Sequence, residues 1–541
     1  MSLTACKNAV ASYDTSQTHL MDCGARTAVN HTTTTPKHQP ITHRKAPTMP
    51  SLQQQLENAI TGQTPLVYVL SPEEQRILRT VRDIAAPLGA PVHTWSCLQG
   101  LDGDRALQDP EKAIVAAAAR EVPDGQFDVT VLCDLAPYLD RPGVVRALRE
   151  AYSAAAGSPG RTIIILCPDN RMPETLKKEI YFLEVPPPDE KEIAAIIDRQ
   201  LQEHGDYAIP DGLLGDVTMA LKGLTENEIA YVLSRACRLP DATAEQFMDE
   251  IFDEKKNVVK KTGFLEFSPP KWKISGLGGL DNLKNWLVKR QHLFSREAAE
   301  AGVPVPKGLL IMGVSGCGKS LAVKTISSLW NIPMFRLDMN LVFSGMYGSP
   351  EEAFHRALKT IESVAPAVLW IDEIENALGL DDSGQRISPH IFSSFLTWMQ
   401  EKPPLIFIAA TANKITALPA EILRKGRFDE VFFCDLPSKE ERNDIMRIHL
   451  LRNQANPDDF DFKMLQIMTE GWNGAEIEQA VISARTEAFF DKRPFNQRDL
   501  ENVIGRIVPL SDTMETQIKA IRSWAFSRAT PASKYGKTAR R

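Results

Sequence analysis

Eight residues constrain this chain more than any others: Gly313-Val314-Ser315-Gly316-Cys317-Gly318-Lys319-Ser320. They fit G-x4-G-K-[ST], follow the apolar stretch Gly308–Met312 and precede the helical run Leu321–Trp330. Strand, glycine-rich turn and helix, in that order, are the context in which this pattern binds phosphate. The chemistry needs these residue types. Glycines let the backbone curl so that its N–H groups face phosphate oxygens, and the helix N-terminus adds positive potential. Lys319 is placed to reach the β- and γ-phosphates and Ser320 to give an oxygen to Mg²⁺. Gly313 to Leu321 are therefore read as the nucleotide-binding stretch, with a nucleoside triphosphate and Mg²⁺ as its ligands.

An acidic strand lies downstream, Ala367-Val368-Leu369-Trp370-Ile371-Asp372-Glu373. Asp372 is expected to hold Mg²⁺, directly or through water, and Glu373 to polarise the attacking water as a general base. Pro333–Leu337 and Leu405–Ala410 read as further buried strands. Strands alternating with helical stretches imply an α/β fold with a parallel sheet.

The same alternation occurs earlier. Leu66–Leu70, Val129–Cys133 and Thr162–Leu166 are short and rich in β-branched residues, with helical stretches near Glu73–Ala86, Pro110–Arg120 and Gly143–Ala156. After the last strand of each half comes a similar helix start: Val185-Pro186-Pro187-Pro188-Asp189-Glu190 beside Asp435-Leu436-Pro437-Ser438-Lys439-Glu440. A second pair is Leu224-Thr225-Glu226-Asn227-Glu228 beside Trp472-Asn473-Gly474-Ala475-Glu476. The chain reads as one unit used twice. The expected parts are a polar segment at 1–48, a first α/β domain at 49–240, a linker at 241–273, an ATPase core at 274–437, a helical lid at 438–527 and a basic flexible tail at 528–541.

Lys319, Asp372-Glu373, Ala410-Thr411-Ala412-Asn413 and Arg424-Lys425-Gly426-Arg427-Phe428-Asp429 together resemble an AAA ATPase module. The resemblance implies that Asn413 orients the lytic water and that Arg424 and Arg427 are paired arginine fingers acting on a neighbour's ATP. It implies a homo-oligomer, a hexameric ring. Gly474-Ala475 resemble the family's second sensor segment. Leu277-Gly278 lie in a segment resembling the one that touches adenine, although the family's usual acid is Gly276 here. Phe395–Lys402 and Leu418–Glu430 narrow the resemblance to the hypothetical-chloroplast-frame-46 family, an AAA group of plastid genomes, cyanobacteria and other bacteria. By this likeness the fold is a P-loop AAA sheet with a C-terminal helical lid, preceded by a degenerate AAA-like domain.

The first unit has lost the chemistry. Ser71-Pro72-Glu73-Glu74 stands where a phosphate loop should follow Leu66–Leu70, and its carboxylates would repel phosphate. Its acidic strand, Val131-Leu132-Cys133-Asp134-Leu135, has no glutamate beside Asp134. Such a domain is expected to bind no ATP and to serve contact or regulation. In the second unit, Phe343-Ser344-Gly345-Met346-Tyr347-Gly348 matches the loop with which related rings grip a polypeptide, with Met346 at the usual aromatic position. It reads either as a gripping loop or as a packed one. Cys317 inside the phosphate loop reads as a redox-sensitive thiol or as a small residue filling a tight turn.

Composition removes other classes. With 62 Lys and Arg against 69 Asp and Glu the net charge is −7, which argues against a nucleic-acid or membrane-surface binder. No apolar run is long enough to span a bilayer. The eight cysteines form no CxxC pair, so a reducing cytoplasm fits best. Residues 1–48, rich in Thr, read as a disordered tail, with a translation start at Met49 and a transit peptide as the other readings. The function read from the chain is an ATP-driven ring that remodels a protein client or regulates one, and the alternative is a nucleotide-dependent scaffold whose first domain recruits a partner without threading.

Overall fold

The computed structural model describes residues 51–534, apart from 124, 158–159, 204–208, 210–211, 238–242, 262, 295–297, 299–300, 347, 379–388, 404, 415–416 and 425. The polar segment 1–48, Tyr347, Lys425 and the last seven residues lie outside the described set. The described residues from Leu52 onward form one compact unit.

The first sheet holds β1 (Leu66–Leu70), β2 (Val92–Ser96), β3 (Gly100–Leu101), β4 (Asp128–Cys133), β5 (Arg161–Cys167) and β6 (Tyr181–Glu184). Its order is β3-β2-β4-β5-β1-β6, parallel except for β3. Every residue of β4 and β5 is buried, as strands covered on both faces must be. Helices α1 (Leu52–Thr61), α2 (Glu74–Ala85), α3 (Pro110–Ala118) and α4 (Pro142–Gly157) cover it. A helical group comes next: α5 (Glu190–Glu203), α6 (Leu214–Leu221), α7 (Glu226–Ala236) and α8 (Ala244–Lys260).

The second sheet holds β7 (Leu265–Ser268), β8 (Gly308–Gly313), β9 (Met334–Leu337), β10 (Ala367–Ile371), β11 (Ile406–Ala412), β12 (Glu430–Cys434) and β13 (Thr530–Pro531), in the order β13-β12-β8-β11-β10-β9-β7. Only β7 runs antiparallel to its neighbour. Described helices of this half are α9 (Asp281–Arg290), α10 (Lys319–Trp330), α11 (Met339–Phe343), α12 (Pro350–Ser363), α13 (Ile374–Leu378) and α14 (Pro389–Glu401). The lid is α15 (Lys439–Arg452), α16 (Phe462–Met468), α17 (Gly474–Phe490) and α18 (Gln497–Ile504), packed around Trp472, and α19 (Leu510–Thr513) and α20 (Glu515–Ala525) come after it.

The shared strand order makes the duplication visible. In each sheet the five consecutive parallel strands lie fifth-first-fourth-third-second, β6-β1-β5-β4-β2 and β12-β8-β11-β10-β9. The paired helix starts agree as well. Thr225 with Glu228 and Asn473 with Glu476 each form a capping box, in which cap side chain and third-residue carboxylate satisfy one another's backbone N–H.

Two expected boundaries need correction. The stretch 241–273 is not simply a linker. Its α8 buries Phe247, Met248, Ile251 and Phe252 against α5–α7, and its β7 extends the second sheet. The stretch 528–541 is not wholly a flexible tail. Thr530 and Pro531 pair with β12, and the carbonyl of Ala532 accepts from the N–H groups of Asn282 and Leu283.

Candidate nucleotide site

β8 delivers the chain to the loop and α10 carries it away. At Gly313 (φ 141°) an added Cβ would lie 2.0 Å from the Cys434 carbonyl oxygen, and at Gly316 (φ 77°) 2.7 Å from Asn473 Oδ1. Backbone excludes any side chain at Gly313, and at Gly316 the left-handed backbone and the Asn473 amide make one strained. Lys319 is buried, and its Nζ donates to the carbonyls of Gly313 (3.1 Å) and Val314 (2.8 Å). Burial pushes its pKa down. The Cys317 side chain is buried in the core cluster around β8 and α10, and burial pushes its thiol pKa up. A thiol packed among apolar side chains, with burial disfavouring its thiolate, suits the space-filling reading of Cys317 better than the redox one.

The acidic strand end closes on this loop. Ser320 Oγ donates to Asp372 Oδ1 at 3.1 Å, and Thr411 Oγ donates to the same oxygen at 2.5 Å. Thr411 also accepts from the Glu373 N–H at 3.0 Å. Glu373 sits in the left-handed region (φ 50°), which turns its carboxylate back toward β11. There Oε1 accepts from Asn413 Nδ2 and Oε2 from Asn376 Nδ2, each at 2.8 Å. Glu375 is buried and accepts from the N–H groups of Asn413 (2.7 Å) and Lys414 (3.0 Å). The sequence pattern points to Lys319, Ser320, Asp372, Glu373 and Asn413. It does not reveal the orienting roles of Thr411, Asn376 and Glu375, whose residue types carry no signal until the strands are paired.

A cavity of about 450 Å³ opens from this polar end toward the lid. Ser315 through Leu321, Asp372, Glu373, Asn413, Leu277, Gly278, Gly474 and Ala475 all line it, while Gly313 and Val314 are turned to Lys319 instead. The start of α17 meets the loop directly, with the Ala475 N–H donating to the Gly316 carbonyl at 3.0 Å. Unforeseen lining comes from Trp272, Ile445, His449 and Arg452. Arg452 donates to the Gly276 carbonyl at 3.0 Å and lies 5.1 Å from the Trp272 ring, a position that an acid side chain at 276 would contest. Helix-terminal N–H groups, a lysine, and paired hydroxyl and carboxylate oxygens fit a nucleoside triphosphate carrying a hard divalent cation.

Arg424 and Arg427 do not line their own chain's cavity. Arg424 is exposed, and Arg427 donates to the Glu421 carbonyl. Met346 is 73% exposed, so it is not part of a packed loop.

The first unit is built differently at the same point. Asp134 (φ 55°) shares the left-handed turn of Glu373 (φ 50°) at the end of the matching strand. With these two matched, the strand pairings equate Leu70 with Met312 and Cys133 with Asp372. The metal-side position thus belongs to buried Cys133, whose thiol pKa is pushed up to about 12 by burial, and not to Asp134 as the residue order suggested. The loop is shorter, three residues (Ser71–Glu73) between strand and helix against five (Val314–Gly318). Buried Glu73 fills the space. Its Oε1 accepts from the Glu226 N–H at the start of α7 (2.6 Å), and its Oε2 pairs with Arg76 (2.7 Å). Arg76 also binds Glu192 and the Pro186 carbonyl.

A parallel sheet of this order, with a phosphate loop, an acidic strand end and a helical lid over the loop, defines the AAA ATPase class. The family model for AAA, the ATPase family associated with various cellular activities, matches residues 309–436. Models for the N-terminal and second domains of SpoVK-like AAA ATPases match 52–185 and 191–262. An uncharacterized AAA domain-containing protein ycf46 of Gracilaria tenuistipitata var. liui is 34% identical over 489 residues, covering 88% of this chain and 98% of its own. That of Guillardia theta is 34% identical over 474 residues, covering 85% and 92%. The chain belongs to the ycf46 family of AAA domain-containing proteins. More distantly, the proteasome-activating nucleotidase of Thermococcus onnurineus is 28% identical over 270 residues, 47% of this chain and 66% of that one. Among the described residues no helix is long and apolar enough to cross a membrane.

Proposed function

We propose that this chain hydrolyses ATP to ADP and phosphate in the cavity between the phosphate loop and the lid. The observation that carries the reading is the convergence of Lys319, the Ser320–Asp372 pair and the Glu373–Asn413 pair on one polar cavity end. Ser320 and Asp372 would hold Mg²⁺, which supplies charge neutralisation at the phosphates. Glu373 accepts a proton from the attacking water, and Asn413 fixes the carboxylate that does so. Leu277, Gly278, Gly474 and Ala475 enclose the nucleoside side.

Arg424 and Arg427 act on a neighbouring copy's nucleotide, a reading supported by their absence from their own cavity lining. Hydrolysis in trans requires an oligomer, a hexameric ring in this proposal. An exposed Met346 favours a ring that grips a protein client, and the likeness to a proteasome-activating nucleotidase points the same way. The second reading, a nucleotide-dependent scaffold, draws support from the self-filled first unit, which suits a fixed recruiting surface. Six described cysteines are free thiols, which accords with a reducing cytoplasmic setting.

Steady-state ATPase activity against protein concentration tests the proposal. Specific activity should rise with concentration and collapse in Arg427→Ala, and concentration-independent activity indifferent to Arg427 would refute hydrolysis in trans. A Met346→Ala, Tyr347→Ala double variant that keeps ATPase activity but loses remodelling supports gripping. If remodelling is untouched, the scaffold reading stands.

A further inference from the structure

Glu266 of β7, Arg336 of β9 and Trp370 of β10 stand abreast in three neighbouring strands. Paired positions project from the same face of a sheet, and Asp372 comes two residues after Trp370 on that face. The Arg336 guanidinium spans this row. Its Cζ lies 5.3 Å from the Trp370 ring centre, its Nη1 3.7 Å from Glu266 Oε2, and its Nη2 3.8 Å from Asp372 Oδ2. Its Nε is buried without a hydrogen-bond partner, so the side chain is held by the ring and the two carboxylates. The two oxygens of Asp372 are thereby distinguished. Oδ1 faces Ser320 and Thr411, and Oδ2 faces Arg336.

We propose that Arg336 is a positioning residue for Asp372, and that Glu266 in turn sets Arg336, so that the segment joining the first half to the ATPase core governs the metal site. A second set of contacts supports the direction of control. α8, which leads directly into β7, carries wholly buried Lys255, whose Nζ donates to the Val364 carbonyl (2.9 Å) just before β10. Gly223, between α6 and α7, approaches the same corner so closely that a Cβ would lie 2.2 Å from the Ser363 carbonyl oxygen. The α6–β7 stretch thus touches the approach to the acidic strand directly and reaches its far end through Arg336. When the carboxylate of Asp372 is free to turn, its oxygens spend less time where Ser320 and a cation share them, and ion binding weakens.

The inference rests on Asp372 being the metal carboxylate, and its test separates the two claims. Mn²⁺ binding by the full chain with a non-hydrolysable ATP analogue is followed by electron paramagnetic resonance, alongside kcat and KM for ATP. Arg336→Met should weaken Mn²⁺ binding three- to tenfold and lower kcat with KM within twofold. Arg336→Lys should return Mn²⁺ binding to within twofold of wild type, and Glu266→Gln should weaken it two- to threefold. Unchanged binding in Arg336→Met overturns the proposal. So does tighter binding, the result of merely deleting a nearby positive charge. An inert Glu266→Gln overturns the control exerted through β7. Asp372→Asn is the reference: if it binds Mn²⁺ like wild type, the site reading itself fails, and if it loses Mn²⁺ while Arg336→Met does not, only this inference falls.

Discussion

The two halves share a strand order and differ at one turn. After β8 the chain makes a glycine loop that leaves room for a ligand. After β1 it makes a shorter turn whose own Glu73 accepts from the first N–H of α7, that of Glu226. A helix N-terminus favours an anion, and in the first half the chain supplies that anion itself, with Arg76 as its counter-ion. The scaffold therefore holds together without the chemistry. The chemistry rests on loop length and on a few side chains at strand ends, whereas β1, β4 and β5 are buried much as β8, β10 and β11 are.

The halves should part most widely at their matched strand ends. Glu373→Gln should lower kcat by about 10²–10⁴-fold with ATP binding retained, as loss of a general base does. Asp134→Asn, at the matching place in the first half, should leave kcat within twofold, and a large loss there would give the first unit a catalytic part. Next in size is Glu73→Ala. It strips a buried arginine of one partner and leaves the Glu226 N–H unsatisfied, so stability should fall by about 3 kcal/mol in urea denaturation, with the KM for ATP unchanged.

A smaller effect concerns the contact between the halves. Burial pushes the Lys255 pKa down to about 7. Between that value and the ordinary lysine range the unfolded chain holds a proton that the folded chain lacks, so folding stability rises with pH across this window, and below it the folded chain must bury a charge. Lys255→Met should remove up to about 2 kcal/mol of the rise between pH 7 and pH 9, read as the difference between wild-type and variant denaturation curves. For Cys317 no effect is expected. Alkylation at pH 7.5 should label exposed Cys97 and spare buried Cys317 with activity intact, and inactivation together with labelled Cys317 would reopen the redox reading.

Much of this was legible in the residues. A glycine loop between an apolar strand and a helix, and an acidic strand downstream, fix the phosphate and carboxylate positions because spacing along the chain is spacing in the site. Central strands such as Ala367–Ile371 were readable as apolar runs for the same reason. Edge elements were not. β2 is half-buried, β6 exposes most of its residues, and β7 is four residues beside a charged helix, so none shows a run. α8 was hidden by its charges, though every third or fourth residue faces the core. The one-residue offset that puts Cys133 opposite Asp372 is a matter of sheet register, which residue order does not carry. Trp272 and Arg452 meet only because the chain before β8 and the lid close on one cavity.

Everything turns on one nucleotide site per chain, built by the second half and self-filled in the first. Calorimetric titration of the full chain with a non-hydrolysable ATP analogue and Mg²⁺ decides the point. One site per chain is expected, lost in Lys319→Ala and kept in Glu73→Ala. Two sites, or a site that survives Lys319→Ala, would refute it.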